Sequence, residues 1–166
     1  RFNPNLYRSG KVCISILNTW NGEQWTSCQT IRSVLLTLVT VLNETPLINE
    51  PGISKTHSDV KRYNDYIKYK NYEVAMYNVL SKRCLPNKHI SFYPLIKKHF
   101  KENQKNILHN LKKDIKKYEN KLAKIDDDLI ESERYYKTRI YNMCCLPDYE
   151  KLTKSLEKEF NNIKLK

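Results

Sequence analysis

The chain has 166 residues, of which 40% are hydrophobic, and this length can hold one domain with a core or a smaller domain with an appended helical arm. Five cysteines without paired spacing and four histidines without a metal-ligand rhythm disfavour a disulfide framework and a zinc site, and we expect no cofactor. No apolar run approaches the roughly 20 residues of a membrane span, and we identify no signal peptide. We therefore expect reduced thiols in a cytoplasmic or nuclear compartment, and no membrane partner.

The formal charge of +12 is unevenly distributed along the chain. Residues 1–80 hold nine Lys/Arg against six Asp/Glu, whereas residues 81–166 hold 21 against 12. A basic face is typical of proteins that bind nucleic acid, anionic membranes or acidic partners. However, the 23 Lys, 17 Asn, 14 Ile and 12 Tyr are all encoded by A/T-rich codons, so compositional drift also explains the excess. We give the charge little weight and do not expect nucleic acid as the partner.

The first segment brings a carboxamide and a thiol together. An Asn3-Pro4-Asn5 turn is followed, eight residues after Asn5, by Cys13. Across residues 11–17 apolar side chains alternate with the others, which predicts a short strand with Cys13 opposite the apolar face. A thiolate forms thioesters, and a primary amide can stabilise the oxyanion that arises when a thioester is attacked. The spacing therefore indicates acyl chemistry.

No histidine lies beside Cys13 in the sequence, and this bears on the kind of acyl chemistry. A cysteine protease would need a distant base such as His57, and no protease signature accompanies either residue. Transfer between two thiols has no such requirement, because the incoming group is already an activated thioester. The absence of a neighbouring base favours thioester exchange.

Helices are predicted for most of the remaining chain. Residues 26–29 supply capping oxygens before an amphipathic helix that runs from Ile31 to about Leu42 and ends before Pro46. Its β-branched composition predicts that tertiary packing must stabilise it. A second helix is predicted from about Ser58 to Ser81, and helix resumes near Leu95.

From Ile107 onward, apolar residues advance by alternating steps of four and three, which is a heptad seam. Its further members are Leu111, Ile115, Tyr118, Leu122, Ile125 and Leu129. The seam can pair with a second chain, lie on the first domain, or fold back as a hairpin against a short helix around Leu152 and Leu156. We favour packing within the chain, because about three heptads alone give marginal association.

These motifs resemble those of a known family. The Asn3-Pro4-Asn5 turn and Cys13 resemble the active-site segment of ubiquitin-conjugating enzymes, where a His-Pro-Asn or Asn-Pro-Asn turn precedes the thioester cysteine by eight residues. Residues 19–25 and 49–52 are similar to the large, atypical branch of that family, the Z-type enzyme and its relatives. The similarity continues through residues 63–65 to roughly residue 100.

The resemblance implies an α+β fold that is mostly α by content. Residues 1–92 would form part of the catalytic domain, namely the C-terminal half of a ubiquitin-conjugating fold with short strands plus helices. Residues 93–166 would form a basic helical extension that can fold as a hairpin. In the family, an N-terminal helix and the first three strands of a four-stranded sheet precede this point. If the chain is complete, a sheet reduced to one or two strands predicts poor independent stability, or assembly with a partner that completes it.

The resemblance also implies an activity. Cys13 would accept ubiquitin or a ubiquitin-like modifier from an activating enzyme in an ATP-dependent pathway, then pass it to a substrate lysine or a ubiquitin ligase. Asn5 would support the loop beside Cys13 and help to stabilise the oxyanion. Glu50, which stands in Glu50-Pro51 where family members typically carry Asp-Pro, would orient or deprotonate the attacking lysine, or would only fix its own turn. The alternative function is a noncatalytic interaction platform that uses the basic helical tail.

Overall fold

The computed structural model describes residues 1–125 and 127–164, and most of them are helical. The helices are α1 (Ile31–Val41), α2 (Asp59–Lys70), α3 (Asn78–Leu80), α4 (Tyr93–Leu122), α5 (Asp127–Glu133) and α6 (Tyr149–Lys164). The strands β1 (Tyr136–Lys137) and β2 (Cys144–Cys145) form a two-stranded sheet. This content confirms the predicted mostly α, α+β class. Among the described residues, no helix combines the length and apolar character needed to cross a membrane.

The chain forms two compact units. The first unit comprises residues 1–67 and 137–143, and the second comprises residues 68–136 and the chain from 144 onward. The division falls within α2, so it does not coincide with the predicted boundary between residues 92 and 93. That boundary concerns resemblance to a family rather than compactness, and it stays a prediction.

The first unit has a small apolar core around the start of α2. Val60, Tyr63 and Ile67 lie at steps of three and four on one face of the helix and are buried with Leu47. Asp59, fully buried at the start of α2, accepts hydrogen bonds from the backbone N–H groups of Arg139 (N···Oδ1 3.1 Å) and Ile140 (N···Oδ2 2.8 Å). A distant segment of the chain is thereby fixed to this helix.

Helix α1 forms where the sequence predicts it, but its apolar face is exposed. Thr30 begins the helix through a reciprocal capping arrangement with Ser33, so the prediction that residues 26–29 cap it is wrong. None of the residues of α1 is buried, and the side chains of Ile31 and Val39 are 77% and 67% exposed. The prediction that tertiary packing stabilises α1 is therefore met only in part, since Val34, Leu38 and Val41 are half-buried. A capping box and side-chain hydrogen bonds to the Val41 carbonyl also hold this helix.

The predicted strand at residues 11–17 is wrong. Only one isolated antiparallel bridge forms there, between Leu6 and Val12, and a 3-10 turn follows at Ser15–Leu17. Asn18 then adopts a left-handed conformation with φ of 56°. An alternating pattern separates two faces only in a paired, extended strand, and this backbone turns within three residues. Cys13 is consequently buried, not held on a face opposite the apolar side chains.

The second unit has the larger core, built mainly from α4, α6 and the helical segment that follows α2. Its buried side chains are Tyr69, Tyr72, Leu80, Phe100, Ile107, Leu111, Tyr149, Leu152, Leu156, Phe160 and Ile163. The first residues of the heptad seam, Ile107 and Leu111, therefore pack within the chain, which confirms the favoured interpretation. The seam does not continue as one helix, because α4 ends at Leu122. The side chain of Leu129 lies outside the described residues.

Candidate functional site

The Asn3-Pro4-Asn5 turn is held by its own side chains. The backbone N–H of Asn5 donates to Asn3 Oδ1 (2.8 Å), which closes an Asx turn over the proline. The other end of that side chain, Asn3 Nδ2, donates to the carbonyl of Val41 at the end of α1 (2.9 Å). Asn3 is fully buried, so its role here is to anchor the turn to the first unit.

Asn5 and Cys13 are paired twice. The backbone N–H of Cys13 donates to the carbonyl of Asn5 (2.8 Å), and the side-chain Nδ2 of Asn5 donates to the carbonyl of Cys13 (2.6 Å). Asn5 Oδ1 is buried and has no hydrogen-bond partner among the described residues. The structure thus brings together the two residues that the eight-residue spacing singled out.

The chain between these residues is a tight loop. The backbone N–H of Tyr7 donates to the carbonyl of Lys11 (3.0 Å), and the N–H of Gly10 donates to the carbonyl of Tyr7 (3.0 Å). Gly10 has φ of +87°, a left-handed backbone conformation that residues other than glycine rarely adopt. A local turn of this kind explains why a separation of eight residues returns the chain to Asn5.

Thr19 supports the loop on the other side of the thiol. Its hydroxyl donates to the carbonyl of Val12 (2.8 Å) and accepts a hydrogen bond from the backbone N–H of Ile14 (3.1 Å). The backbone on both sides of Cys13 is therefore fixed by one side chain. Sequence reasoning did not assign this role to Thr19, and only its position six residues after the cysteine could have suggested it.

The thiol itself is sheltered. Cys13 is 2% exposed, and the next residue, Ile14, is buried to the same extent. His57, the nearest candidate for a base in sequence terms, uses its Nδ1 to accept the backbone N–H of Asp59 (3.1 Å) at the start of α2. This histidine acts as a helix cap in the structure, which agrees with thiol chemistry that needs no histidine base.

Glu50 follows a 3-10 turn at Pro46–Asn49 in the same unit. The neighbouring Asn49 donates through Nδ2 to the carbonyl of Val41 (3.2 Å), the same oxygen that accepts from Asn3. The Glu50 loop and the turn before Cys13 therefore share one anchor at the end of α1. The structure gives Glu50 no hydrogen bond to Asn5 or Cys13 among the described residues, although its loop shares that anchor with the turn before Cys13.

The carboxylate of Glu50 has a partner that sequence reasoning missed. Oε2 accepts a hydrogen bond from the hydroxyl of Tyr141, which lies 91 residues further along the chain. No local pattern in the sequence indicates a contact over that separation. As for inorganic ligands, the described residues contain no group of three or more His, Cys, Asp or Glu side chains that could hold a metal ion.

Comparisons with known proteins match the segment that carries this geometry. The family model for "Ubiquitin-conjugating enzyme" matches residues 1–74. The chain is 45% identical over 86 residues to "Ubiquitin-conjugating enzyme E2 Z" of Xenopus tropicalis, a match that covers 51% of this chain and 28% of that protein. It is 43% identical over 86 residues to the protein of the same name from Homo sapiens, covering 51% of this chain and 24% of that one.

A plant relative extends the match. "Probable ubiquitin-conjugating enzyme E2 24" of Arabidopsis thaliana is 36% identical over 115 residues, which cover 65% of this chain and 12% of that protein. The chain thus spans about a quarter or less of the length of these relatives. The turn, the loop and the sheltered cysteine all fall within the matched segment.

Proposed function

We propose that this chain carries ubiquitin or a ubiquitin-like modifier as a thioester on Cys13, because residues 1–74 match the family model for ubiquitin-conjugating enzymes. The modifier comes from an activating enzyme and passes to a lysine or to a ligase. The observation that supports this most directly is the double pairing of Asn5 with Cys13, which places a primary amide beside the thiol's own backbone.

Loading exchanges one thioester for another. The Cys13 thiolate attacks the carbonyl carbon of the modifier's thioester on the activating enzyme, the new carbon–sulfur bond forms, and the activating enzyme's thiolate leaves. In the second step, a neutral lysine amine attacks the carbonyl on Cys13, an amide bond forms, and the Cys13 thiolate leaves. Because a lysine with pKa near 10.4 is mostly protonated at neutral pH, a group that accepts its proton or orients it accelerates this step.

Asn5 can combine both roles that the family resemblance implies. Its NH₂ group has two N–H donors, and one of them donates to the Cys13 carbonyl. The second can donate to the oxyanion that develops during lysine attack, while the first keeps the loop in place. Glu50, on the loop anchored to the same Val41 carbonyl, is the carboxylate we assign to the attacking lysine.

A thioester assay tests the proposal. The wild-type chain, Cys13→Ala and Cys13→Ser are each incubated with activating enzyme, ATP and labelled ubiquitin, and resolved on a nonreducing gel. We expect an adduct that reductant removes from the wild type, a reductant-resistant ester from Cys13→Ser, and nothing from Cys13→Ala. A wild-type chain without an adduct, or an adduct that persists in Cys13→Ala, contradicts the proposal.

A second candidate function is a noncatalytic interaction platform, and two observations favour it. Cys13 is 2% exposed, so a modifier must open the surrounding loop to reach it. In addition, lysines on and just beyond α4 line an open groove of about 400 Å³; they are Lys113, Lys116, Lys117, Lys121 and Lys124. A wild-type chain that forms no thioester, yet binds an acidic protein partner in a salt-dependent manner, would favour this function over the first.

A further inference from the structure

The segment between β1 and β2 reaches the candidate site through Tyr141. Its hydroxyl donates to Oε2 of Glu50, and its ring packs edge-on against Tyr63 with centroids 6.1 Å apart. All three residues belong to the first unit. This segment lies outside residues 1–74, the part that the family model matches. The partner of the loop acid therefore comes from a part of the chain that the family pattern does not supply.

The backbone at Tyr141 is held in an unfavourable conformation. Tyr141 has φ of 64° and the next residue, Asn142, has φ of 46°, a left-handed conformation that is rare for a bulky side chain. Such conformations persist where surrounding contacts determine them, and they are frequent at functional sites. The orientation of Tyr141 is thus imposed on the chain against its local preference.

Hydrogen bonds from both ends of the segment impose that conformation. Asp59 accepts the backbone N–H groups of Arg139 and Ile140, as described above. The hydroxyl of Thr138 donates to the carbonyl of Ile140 (2.7 Å) and accepts the backbone N–H of Met143 (3.1 Å). The segment is consequently held by hydrogen bonds on both sides of Tyr141, and the phenol of Tyr141 reaches Glu50 from this bonded backbone.

The ring of Tyr141 is also linked, through contacts of Arg1, to the loop before Cys13. The guanidinium of Arg1 lies 4.4 Å from the centroid of the Tyr141 ring and 3.8 Å from that of Tyr7. Tyr7 closes the loop that leads to Cys13 through its hydrogen bond with Lys11. An uninterrupted series of contacts thus runs from the Glu50 carboxylate to the loop that carries the thiol.

We propose that Tyr141 is a positioning residue of the site, which holds the Glu50 carboxylate in the orientation needed to receive an attacking lysine. The inference rests on the proposed function of Cys13. Tyr141 acts through Glu50 and takes no part in forming the thioester. Burial and the bond to Glu50 raise the pKa of Tyr141, so the phenol stays protonated and remains a donor at physiological pH.

The test separates loading from discharge. The wild type, Tyr141→Phe, Glu50→Gln and the double variant are loaded with labelled ubiquitin, and the thioester is then discharged to free lysine under single-turnover conditions. Tyr141→Phe keeps the ring and removes only the donor, so we expect unchanged loading and a discharge rate about tenfold lower, as for loss of a hydrogen bond to a charged group. In the Glu50→Gln background, Tyr141→Phe should have no further effect, because its contribution depends on the carboxylate.

Tyr93→Phe is the matched control. It removes another phenol that donates a hydrogen bond, to the carbonyl of Leu80 (2.6 Å) in the second unit, and should leave discharge unchanged. A merely structural role for Tyr141 would lower loading and discharge together, and would lower them equally with or without Glu50. If the wild type forms no thioester, the proposed function and this inference fail together. If the thioester forms and Tyr141→Phe discharges at the wild-type rate, the positioning role alone is refuted.

Discussion

The two units of this protein are stabilised in different ways. The second unit buries a large group of apolar side chains, whereas the main apolar cluster of the first contains four buried residues, Leu47, Val60, Tyr63 and Ile67. The first unit instead buries polar side chains that hold the backbone of the candidate site, namely Asn3, Asn5, Asp59 and Thr138. Hydrogen bonds are directional and apolar contacts are not. Directional hydrogen bonds therefore hold the candidate site, whereas apolar packing, with the buried Asp114 as one polar member, stabilises most of the second unit.

The largest effect is expected in the apolar core of the second unit. Leu156→Ala removes a fully buried side chain and should lower the free energy of unfolding by about 2–5 kcal/mol, because a cavity is left behind. Urea denaturation followed by circular dichroism measures it. Leu146→Ala, at a residue that is 48% exposed, should cost less than about 0.5 kcal/mol. Equal effects of the two variants would contradict the assignment of this core.

A smaller effect, of different character, is expected at Asp59 in the first unit. Asp59→Ala leaves the buried N–H groups of Arg139 and Ile140 without an acceptor, which should cost about 2–3 kcal/mol. Hydrogen exchange should show the two amides losing protection.

The control for Asp59 is Lys61→Ala, which removes the exposed partner of a helix ion pair with Asp65 and should cost less than about 0.5 kcal/mol. Protection of both amides that survives in Asp59→Ala would show that the Tyr141 segment is held by something else. The contrast between directional and apolar stabilisation would then not hold for the first unit.

Alkaline pH should act mainly on the second unit. Burial raises the pKa of Tyr69, Tyr72, Tyr118 and Tyr149 above the usual value of 10.0. Above about pH 10 the folded chain therefore holds protons that the unfolded chain has lost, so stability is retained below pH 10 and falls as pH rises. Each such phenol contributes a loss of at most about 1.4 kcal/mol per pH unit.

Urea midpoints measured from pH 8 to pH 11 test this sign. A stability that stays level or rises across that interval would be inconsistent with buried phenols. Tyr63 and Tyr141, whose pKa values burial also raises, extend the effect to the first unit. Tyr63→Phe should therefore reduce the slope of the free energy of unfolding against pH less than removal of the phenols of the second unit does.

The smallest effect is expected on the exposed face of α1. Leu35→Gln and Val39→Gln change side chains that are 58% and 67% exposed, so each should alter the free energy of unfolding by less than about 0.5 kcal/mol. Thermal melting measures the change. Leu47→Gln, in the buried core of the same unit, is the matched control and should be strongly destabilising. Comparable losses at Leu35 and Leu47 would mean that α1 contributes to stability like a core helix.

Local patterns in the sequence predicted much of the molecule. The periodicity of α4 and α6 identified their buried faces, because side chains three and four positions apart lie on the same face of a helix. The eight-residue spacing located Asn5 and Cys13 together, because a short turn closes that loop. The roles of Asn5, Cys13 and Glu50 in chemistry stay predictions.

What the sequence did not reveal depends on distant contacts or on a turn. The alternation at residues 11–17 predicted a strand, but the chain turns at Ser15–Leu17 and at the left-handed Asn18. The burial of Cys13 was therefore missed. The contact of Tyr141 with Glu50 joins residues 91 positions apart, and nothing near either residue encodes it. The exposed face of α1 has a pattern that normally indicates burial, since periodicity describes which side chains share a face and not whether a partner covers them.

The segment Asn71–Tyr77, between α2 and α3, is π-helical, and this has a consequence for which changes in chain length the protein can accept. A π-turn accommodates an additional residue within a helix. Deleting one residue there would restore regular α geometry, and because the π-turn takes up that residue locally, the following helix would keep about the same orientation to the preceding turns. Leu80 would then keep its place in the core. Related sequences that keep this core can therefore differ by one residue in the length of this segment.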